Sequence, residues 1–134
     1  MRIAFGCAAV VAVAALAGCG RDGPARSEVS GRVTFKGQPV SKGKIVFLIA
    51  NGPTAMGDIK DGAYRIDHHG GVPVGSGKVE IESFQDTDKL VHANPTGVKV
   101  YETKQVLPPK YNTKTELTIE ITRGTSEKNF DLDP

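Results

Sequence analysis

The 134-residue sequence contains no Trp, three Tyr and five Phe, and its two Cys both fall within the first 19 positions. From Gly20 onward there is therefore no thiol to form a disulfide, ligate a metal or act as a nucleophile. The absence of Trp and the shortage of Tyr argue against a sugar-stacking platform. Charge of one sign is also missing: 17 Lys and Arg stand against 15 Asp and Glu with no long run of either. That balance argues against a nucleic-acid binder or a polyanion trap. Long apolar runs are confined to the amino terminus, where 15 of the first 18 residues are apolar. The rest of the chain is about one-third apolar, lean but sufficient for a single core in one small domain. What is abundant is Gly, with 16 residues, and Pro, with 8.

Met1 and Arg2 give a short basic start, and Ile3 to Ala17 form an apolar stretch. It is too short to cross ~30 Å of hydrocarbon comfortably as a helix but suits a secretory signal helix. The stretch ends in Leu16-Ala17-Gly18-Cys19. Small residues before a cut followed directly by Cys resemble the lipobox of bacterial lipoproteins. The resemblance implies cleavage between Gly18 and Cys19, lipidation of the Cys19 sulfur and an anchor to the membrane. Two or three acyl chains, at ~0.8 kcal/mol per buried methylene, hold a protein there stably. Cys7 would leave with the signal. Residues 19–27 then comprise the lipidated Cys and a polar Gly/Pro tether. Gly20 stands where the family's inner-membrane retention rule places Asp, which points to the outer membrane, facing periplasm or surface.

From Glu28 the pattern has period two. Val29, Gly31, Val33 and Phe35 alternate with polar residues, as in a half-buried strand. Ile45 to Ala50 is a continuous apolar run, predicting a central strand covered on both faces. Asp61-Gly62 between Ala55–Lys60 and Ala63–Asp67 is a two-residue hairpin signal, with Tyr64 and Ile66 inward and Arg65 and Asp67 outward. Val79 and Ile81 alternate with Lys78, Glu80 and Glu82. Phe84 breaks that alternation and predicts a bulge or strand end near Ser83. Leu117, Ile119 and Ile121 share one face of a strand over 115–122, and Phe130 and Leu132 mark a last short strand. Seven short strands with Gly/Pro turns predict an all-β, antiparallel β-sandwich over 28–134. The stretch 85–112 does not fit. It reads as a functional loop, a flap, or an excursion with its own strand at Val98–Tyr101.

Val29 to Val40 followed by Gly43-Lys44-Ile45-Val46-Phe47 resembles the opening of carboxypeptidase-regulatory-like, transthyretin-like domains. Val72-Pro73-Val74-Gly75 before Lys78 to Ile81, Leu107 to Asn112, and Asn129 to Leu132 extend the likeness. Together they resemble short bacterial lipoproteins made of a signal, a lipobox and one Ig-like sandwich of this type. The resemblance implies a fold and no catalytic residue, because this fold hosts unrelated roles.

Each candidate site has an ordinary structural role as its rival. Gly71 to Lys78 fails as a phosphate loop: Val72 occupies the first glycine position and Val79 the Ser/Thr position. Ser76 lacks the flanking glycines of a nucleophile elbow, with Val74 and Lys78 in their place. Asp67-His68-His69 with distant His92 is the one metal-like cluster, and adjacent strand residues point to opposite faces, so convergence would need a loop. Asp86-Thr87-Asp88 lacks the glycine and terminal Glu of a calcium loop. Glu80 and Glu82 beside Lys78 read as a charged outer face. Tyr111 and Asn112 have two readings: tucked beneath the end of the long loop, or joined with Tyr101 and Pro108-Pro109 in a binding edge. The expectation is a non-enzymatic envelope lipoprotein needing no cofactor or metal. It would be held to the membrane by its lipid and present a surface to an envelope protein. A small-ligand or carbohydrate-binding module is the alternative.

Overall fold

The computed structural model describes residues 23–134. The expected signal, the expected Gly18–Cys19 cleavage site and the first residues of the expected tether lie outside them. Thirteen strands follow in order: β1 (Arg26–Ser27), β2 (Val29–Phe35), β3 (Gln38–Pro39), β4 (Lys42–Ile49), β5 (Ala55–Lys60), β6 (Ala63–Ile66), β7 (Val72–Pro73), β8 (Gly75–Glu82), β9 (Phe84–Ala93), β10 (Lys99–Gln105), β11 (Thr118–Ile121), β12 (Ser126–Glu127) and β13 (Phe130–Leu132). Short 3₁₀ turns occupy His68–Gly70 and Pro109–Tyr111. The fold is all-β, as the period-two patterning predicts.

Nine strands form one sheet in the order β11-β8-β4-β5-β6-β2-β12, with β3 and β13 also paired to β2. Its buried side chains alternate along each strand. Val29 and Val33 of β2, Ile45, Phe47 and Ile49 of β4, Ile59 of β5, Tyr64 and Ile66 of β6, Val79 and Ile81 of β8 and Ile121 of β11 all enter one cluster. Phe130 and Leu132 join it from β13. Strands from both margins of the sheet share that core, so the sheet curls around it. Among the described residues, every core residue lies between Val29 and Leu132.

Three sequence expectations hold in detail. The Asp61-Gly62 turn joins β5 to β6 with both residues at positive φ, +50° and +77°, the conformation a tight hairpin requires. Tyr64 and Ile66 are buried while Arg65 and Asp67 are exposed. Ser83 separates β8 from β9 as the break at Phe84 predicts; it is buried, and its hydroxyl donates to the Lys42 carbonyl at 2.6 Å.

Three need correction. The sheet is not purely antiparallel and not seven-stranded: β12 and β13 both run parallel to β2. After β11, at one margin, the chain crosses to β2 near the other and enters alongside it in the same direction. The seam is closed by side chains, with the Arg32 N–H donating to Asn129 Oδ1 at 2.8 Å and the Thr34 hydroxyl to Asp131 at 2.7 Å. Gly31 permits the approach, because a Cβ there would collide with the Lys128 carbonyl. Second, β4 is central, between β5 and β8, but covered on one face only; Lys44 is exposed and Val46 and Leu48 are half-buried. The outer positions beside it carry Lys78, Glu80, Met56 and Asp58, a solvated surface. Third, 85–112 is the excursion that one of its three readings allows, but with two strands in place of the one expected at Val98–Tyr101, so that it is mostly a hairpin of its own. β9 pairs antiparallel with β10 alone, and the register shifts twice along it.

The register also fixes where the chain enters and where the hairpin leaves. β1 pairs with β7, just before β8 begins, and the first residues of β8 lie beside Ile49 and Ile121. β8 ends with Glu82 beside Lys44, and the hairpin starts there. The amino-terminal entry and the β9–β10 arm therefore stand at opposite ends of a strand about 26 Å long.

Candidate functional site

Tyr111 and Asn112 do not form a surface edge. Leu107 enters the core, Pro108 is extended, and the Pro109–Tyr111 turn brings both residues inward, to 8% and 4% exposure. The Asn112 amide donates to the carbonyls of Ile81 at 3.3 Å and Pro108 at 3.1 Å, and its Oδ1 accepts the Thr113 N–H at 2.9 Å. The Tyr111 hydroxyl accepts the Asp133 N–H at 2.8 Å. Both side chains are structural. They pin the chain that returns from the arm against β8 and the carboxyl-terminal strand. The expected edge thus loses two of its three members, and Tyr101 stands apart on β10, exposed.

The arm is tied at its base and free beyond it. The Val106 N–H donates to the Ser83 carbonyl at 2.9 Å, and Gln105 Oε1 accepts both the Ser83 N–H at 2.9 Å and the Leu107 N–H at 3.2 Å. Among the described residues, the outer edges of β9 and β10 pair with no other strand. Lys89 and Glu102 face each other across the hairpin at 3.4 Å, an exposed pair of small energetic worth.

A second feature is a groove of about 720 Å³ on the outer face of the sheet, lined by Lys44, Met56, Asp58, Lys60, Arg65 and His68 among others. Arg65 is already committed, to Asp67 at 2.9 Å and Glu28 at 3.2 Å. The hydrogen bond from Arg65 holds the Asp67 carboxyl below the usual carboxylate range. The same bond, reinforced by the charges of Asp67 and Glu28, raises Arg65. The uncommitted lining is Lys44, Lys60, His68 and Asp58, a mixed, open surface.

The remaining motifs resolve into packing. His68 and His69 sit in a 3₁₀ turn with ring centroids 5.6 Å apart, edge to face, and His92 lies on β9. Among the described residues no three His, Cys, Asp or Glu side chains gather as a metal site. In the glycine-rich segment a Cβ at Gly71 would strike the Ser27 carbonyl, and one at Gly77 the Leu48 carbonyl. Close strand packing accounts for those glycines. Tyr64 is the strongest perturbed group: burial, and secondarily Glu127, raises its phenol well above the ordinary Tyr value, while its hydroxyl donates to the Lys128 carbonyl at 2.7 Å. That bond caps the break between β12 and β13.

Sequence reasoning marked 85–112 as an excursion and Tyr101 as an edge residue but missed the apolar tip of the arm, and it missed the groove altogether. The arm has a readable signal in the apolar residues at Leu90-Val91 and Val98 to Tyr101. The groove has none, because its lining comes from β4, β5, β6 and the His68 turn.

No protein-family model matches the chain, and no curated protein matches it. Among solved structures it aligns with a 9R-lipoxygenase from Cyanothece PCC8801 at 11% identity, with a TM-score of 0.37. The alignment covers 80% of this chain and 16% of the lipoxygenase, so the chain spans about a sixth of that protein, and the likeness carries no argument about activity.

Proposed function

We propose that this protein is a lipid-anchored, non-enzymatic component of a bacterial cell envelope, its β-domain serving as a structural or protein-binding module. The observation that carries this reading is Leu16-Ala17-Gly18-Cys19 at the end of an apolar signal, leading within seven residues to β1. Acylated Cys19 holds the chain on the membrane, and Gly20 favours the outer membrane. The tether, residues 20–25, reaches at most about 20 Å. A partner strand finds its place at β11, whose outer edge is unpaired among the described residues and whose Thr118 and Glu120 face solvent.

The finer fold assignment, an Ig-like, transthyretin-like sandwich, belongs to the same proposal. In its support, the segments that resemble such domains coincide with β2 and β3, β4, β7 with β8, and β13. A small-ligand module is the second reading, favoured by the groove over β4–β6, where Lys44, Lys60 and His68 suit an anionic group.

Metabolic labelling with a clickable fatty acid tests the anchor. Wild type should be labelled and sediment with membranes, and Cys19→Ser should do neither. Crosslinking in intact cells should then capture an envelope protein with wild type and lose it with Cys19→Ser. An unlabelled wild-type chain in the soluble fraction overturns the reading.

A further inference from the structure

Seven large apolar side chains are exposed among the described residues, and six of them lie on the β9–β10 arm; Met56 is the exception. Five of the six, Leu90, Val91, Val98, Val100 and Tyr101, fall in the distal part, where β9 turns through residues 94–98 into β10. Val100 and Tyr101 are consecutive on β10, and the register shift between them puts the extra residue, Val91, on β9; β10 keeps its alternation there, so the two side chains point to opposite faces, and they are 49% and 39% exposed. The tip is therefore apolar on both faces. A protein docked on a two-stranded ribbon covers one face, whereas a medium that surrounds the tip covers both.

Charge is sorted along the arm rather than across it. From Lys89 to Tyr101 the sequence holds Lys89, His92 and Lys99 and no carboxylate. Asp86, Asp88 and Glu102 stand on the side toward the base. An apolar end that carries Lys99 and no carboxylate from Lys89 to Tyr101 complements one surface in an envelope, a bilayer rich in anionic headgroups. Tyr suits the boundary, where its ring is buried and its hydroxyl remains wet.

We propose that the tip of the β9–β10 arm inserts into the headgroup layer of an anionic phospholipid bilayer. Leu90, Val91, Val98 and Val100 enter the acyl boundary, Tyr101 sits at the interface, and Lys99 meets a lipid phosphate, while Lys89 stays paired with Glu102 on the side toward the base. Entry is shallow, about 5–10 Å, because the unpaired outer edges of both strands carry backbone groups that hydrocarbon cannot satisfy. With the tether entering at the other end of β8, a chain using both contacts on one bilayer lies lengthwise along it. The arm thus gives the module an orientation that a flexible tether alone does not supply.

This inference is independent of acylation, and its test keeps the two apart. Residues 19–134 carrying Cys19→Ser, which contain every core residue of the described part, are mixed with vesicles of phosphatidylglycerol and phosphatidylcholine in equal parts, or of phosphatidylcholine alone. The chain should sediment with the anionic vesicles, with about tenfold weaker partitioning on phosphatidylcholine or at high salt. Val91→Asp with Val98→Asp should weaken partitioning at least tenfold while leaving the thermal melt unchanged, since neither side chain belongs to the core. Because the protein has no Trp, Tyr101→Trp supplies a single indole whose emission should shift to the blue on the anionic vesicles. Absence of sedimentation, an unshifted indole, or partitioning unaffected by the paired Asp substitutions each overturns the proposal. So does self-association that the same substitutions abolish in a chain that ignores vesicles, which assigns the tip to a second copy instead.

Discussion

Asn112→Ala is the substitution that most sharply separates a structural asparagine from a binding one. The side chain is 4% exposed and makes three hydrogen bonds, two donated to the carbonyls of Ile81 and Pro108 and one accepted from the Thr113 N–H. A net intramolecular hydrogen bond contributes about 1 kcal/mol, and a buried group left without its partner costs a further 1–3 kcal/mol. The Thr113 N–H can reach water, and only the Ile81 contact is wholly buried. The expected loss is therefore roughly 3 kcal/mol. For a domain of this length that lowers Tm by roughly 12–15 °C. The assay is paired urea and thermal denaturation of residues 19–134 with Cys19→Ser, comparing Asn112→Ala with Thr113→Ala. Thr113 is exposed, and its side chain should matter by less than about 0.5 kcal/mol. If Asn112→Ala also costs less than about 0.5 kcal/mol, the amide is not what holds the Pro109–Tyr111 turn to β8. The argument for burying it fails, and Asn112 becomes available as a ligand contact.

Gly31→Ala should destabilise by about 3 kcal/mol or prevent soluble expression, because its Cβ meets the Lys128 backbone; Gly23→Ala, with open space around it, should melt like wild type. Tyr64→Phe should cost about 1–1.5 kcal/mol at neutral pH through loss of the hydroxyl bond to Lys128. Burial raises the Tyr64 phenol in the folded state, so its contribution is full below the unfolded value of about 10 and is lost as pH climbs past it. Wild type should therefore lose stability above pH 10 more steeply than Tyr64→Phe, and equal slopes in alkaline urea melts would refute the assignment. Gln105→Ala removes the acceptor shared by Ser83 and Leu107. It should speed hydrogen exchange through β9 and β10 while leaving β4 and β8 protected.

How much could be read from the residues depended on what enforces each feature. The Asp61-Gly62 hairpin was legible because both turn residues must adopt positive φ, a requirement written locally. The inward faces at Val79 and Ile81 and at Leu117 to Ile121 were legible because one-sided burial imposes period two. The pairing of β13 with β2 was not, because it joins residues 97 positions apart (Arg32 with Asn129) through contacts no local pattern encodes. Gly31 and Asn129 are the residues that demand it, yet in sequence each is an ordinary turn former. Tyr111 and Asn112 were ambiguous for a related reason. A Pro-rich approach to a buried turn and a Pro-rich binding edge have the same composition, and only the carbonyl of Ile81 distinguishes them.

The arm shows the opposite case, in which the missing pattern is informative. From Phe84 to Ala93 the residues run Phe-Gln-Asp-Thr-Asp-Lys-Leu-Val-His-Ala, with no alternation. A strand covered on one face is forced to alternate, and one covered on both becomes continuously apolar. A strand wet on both faces is forced to do neither. β9 is such a strand, with nine of its ten residues exposed, and nothing in the fold of the body constrains what its distal half carries. Solvent alone would favour polar residues there. Leu90 and Val91, and across the hairpin Val98, Val100 and Tyr101, gain nothing from the core and expose apolar area to water. Their presence is explained by burial outside the domain, and their absence of sidedness by a surface that receives the tip from all around. Replacing all five by Ser should therefore leave the domain as stable as wild type or slightly more soluble, and abolish its partitioning onto anionic vesicles. A fall in Tm of more than a few degrees would instead place the arm in the folding core and refute its reading as an external contact.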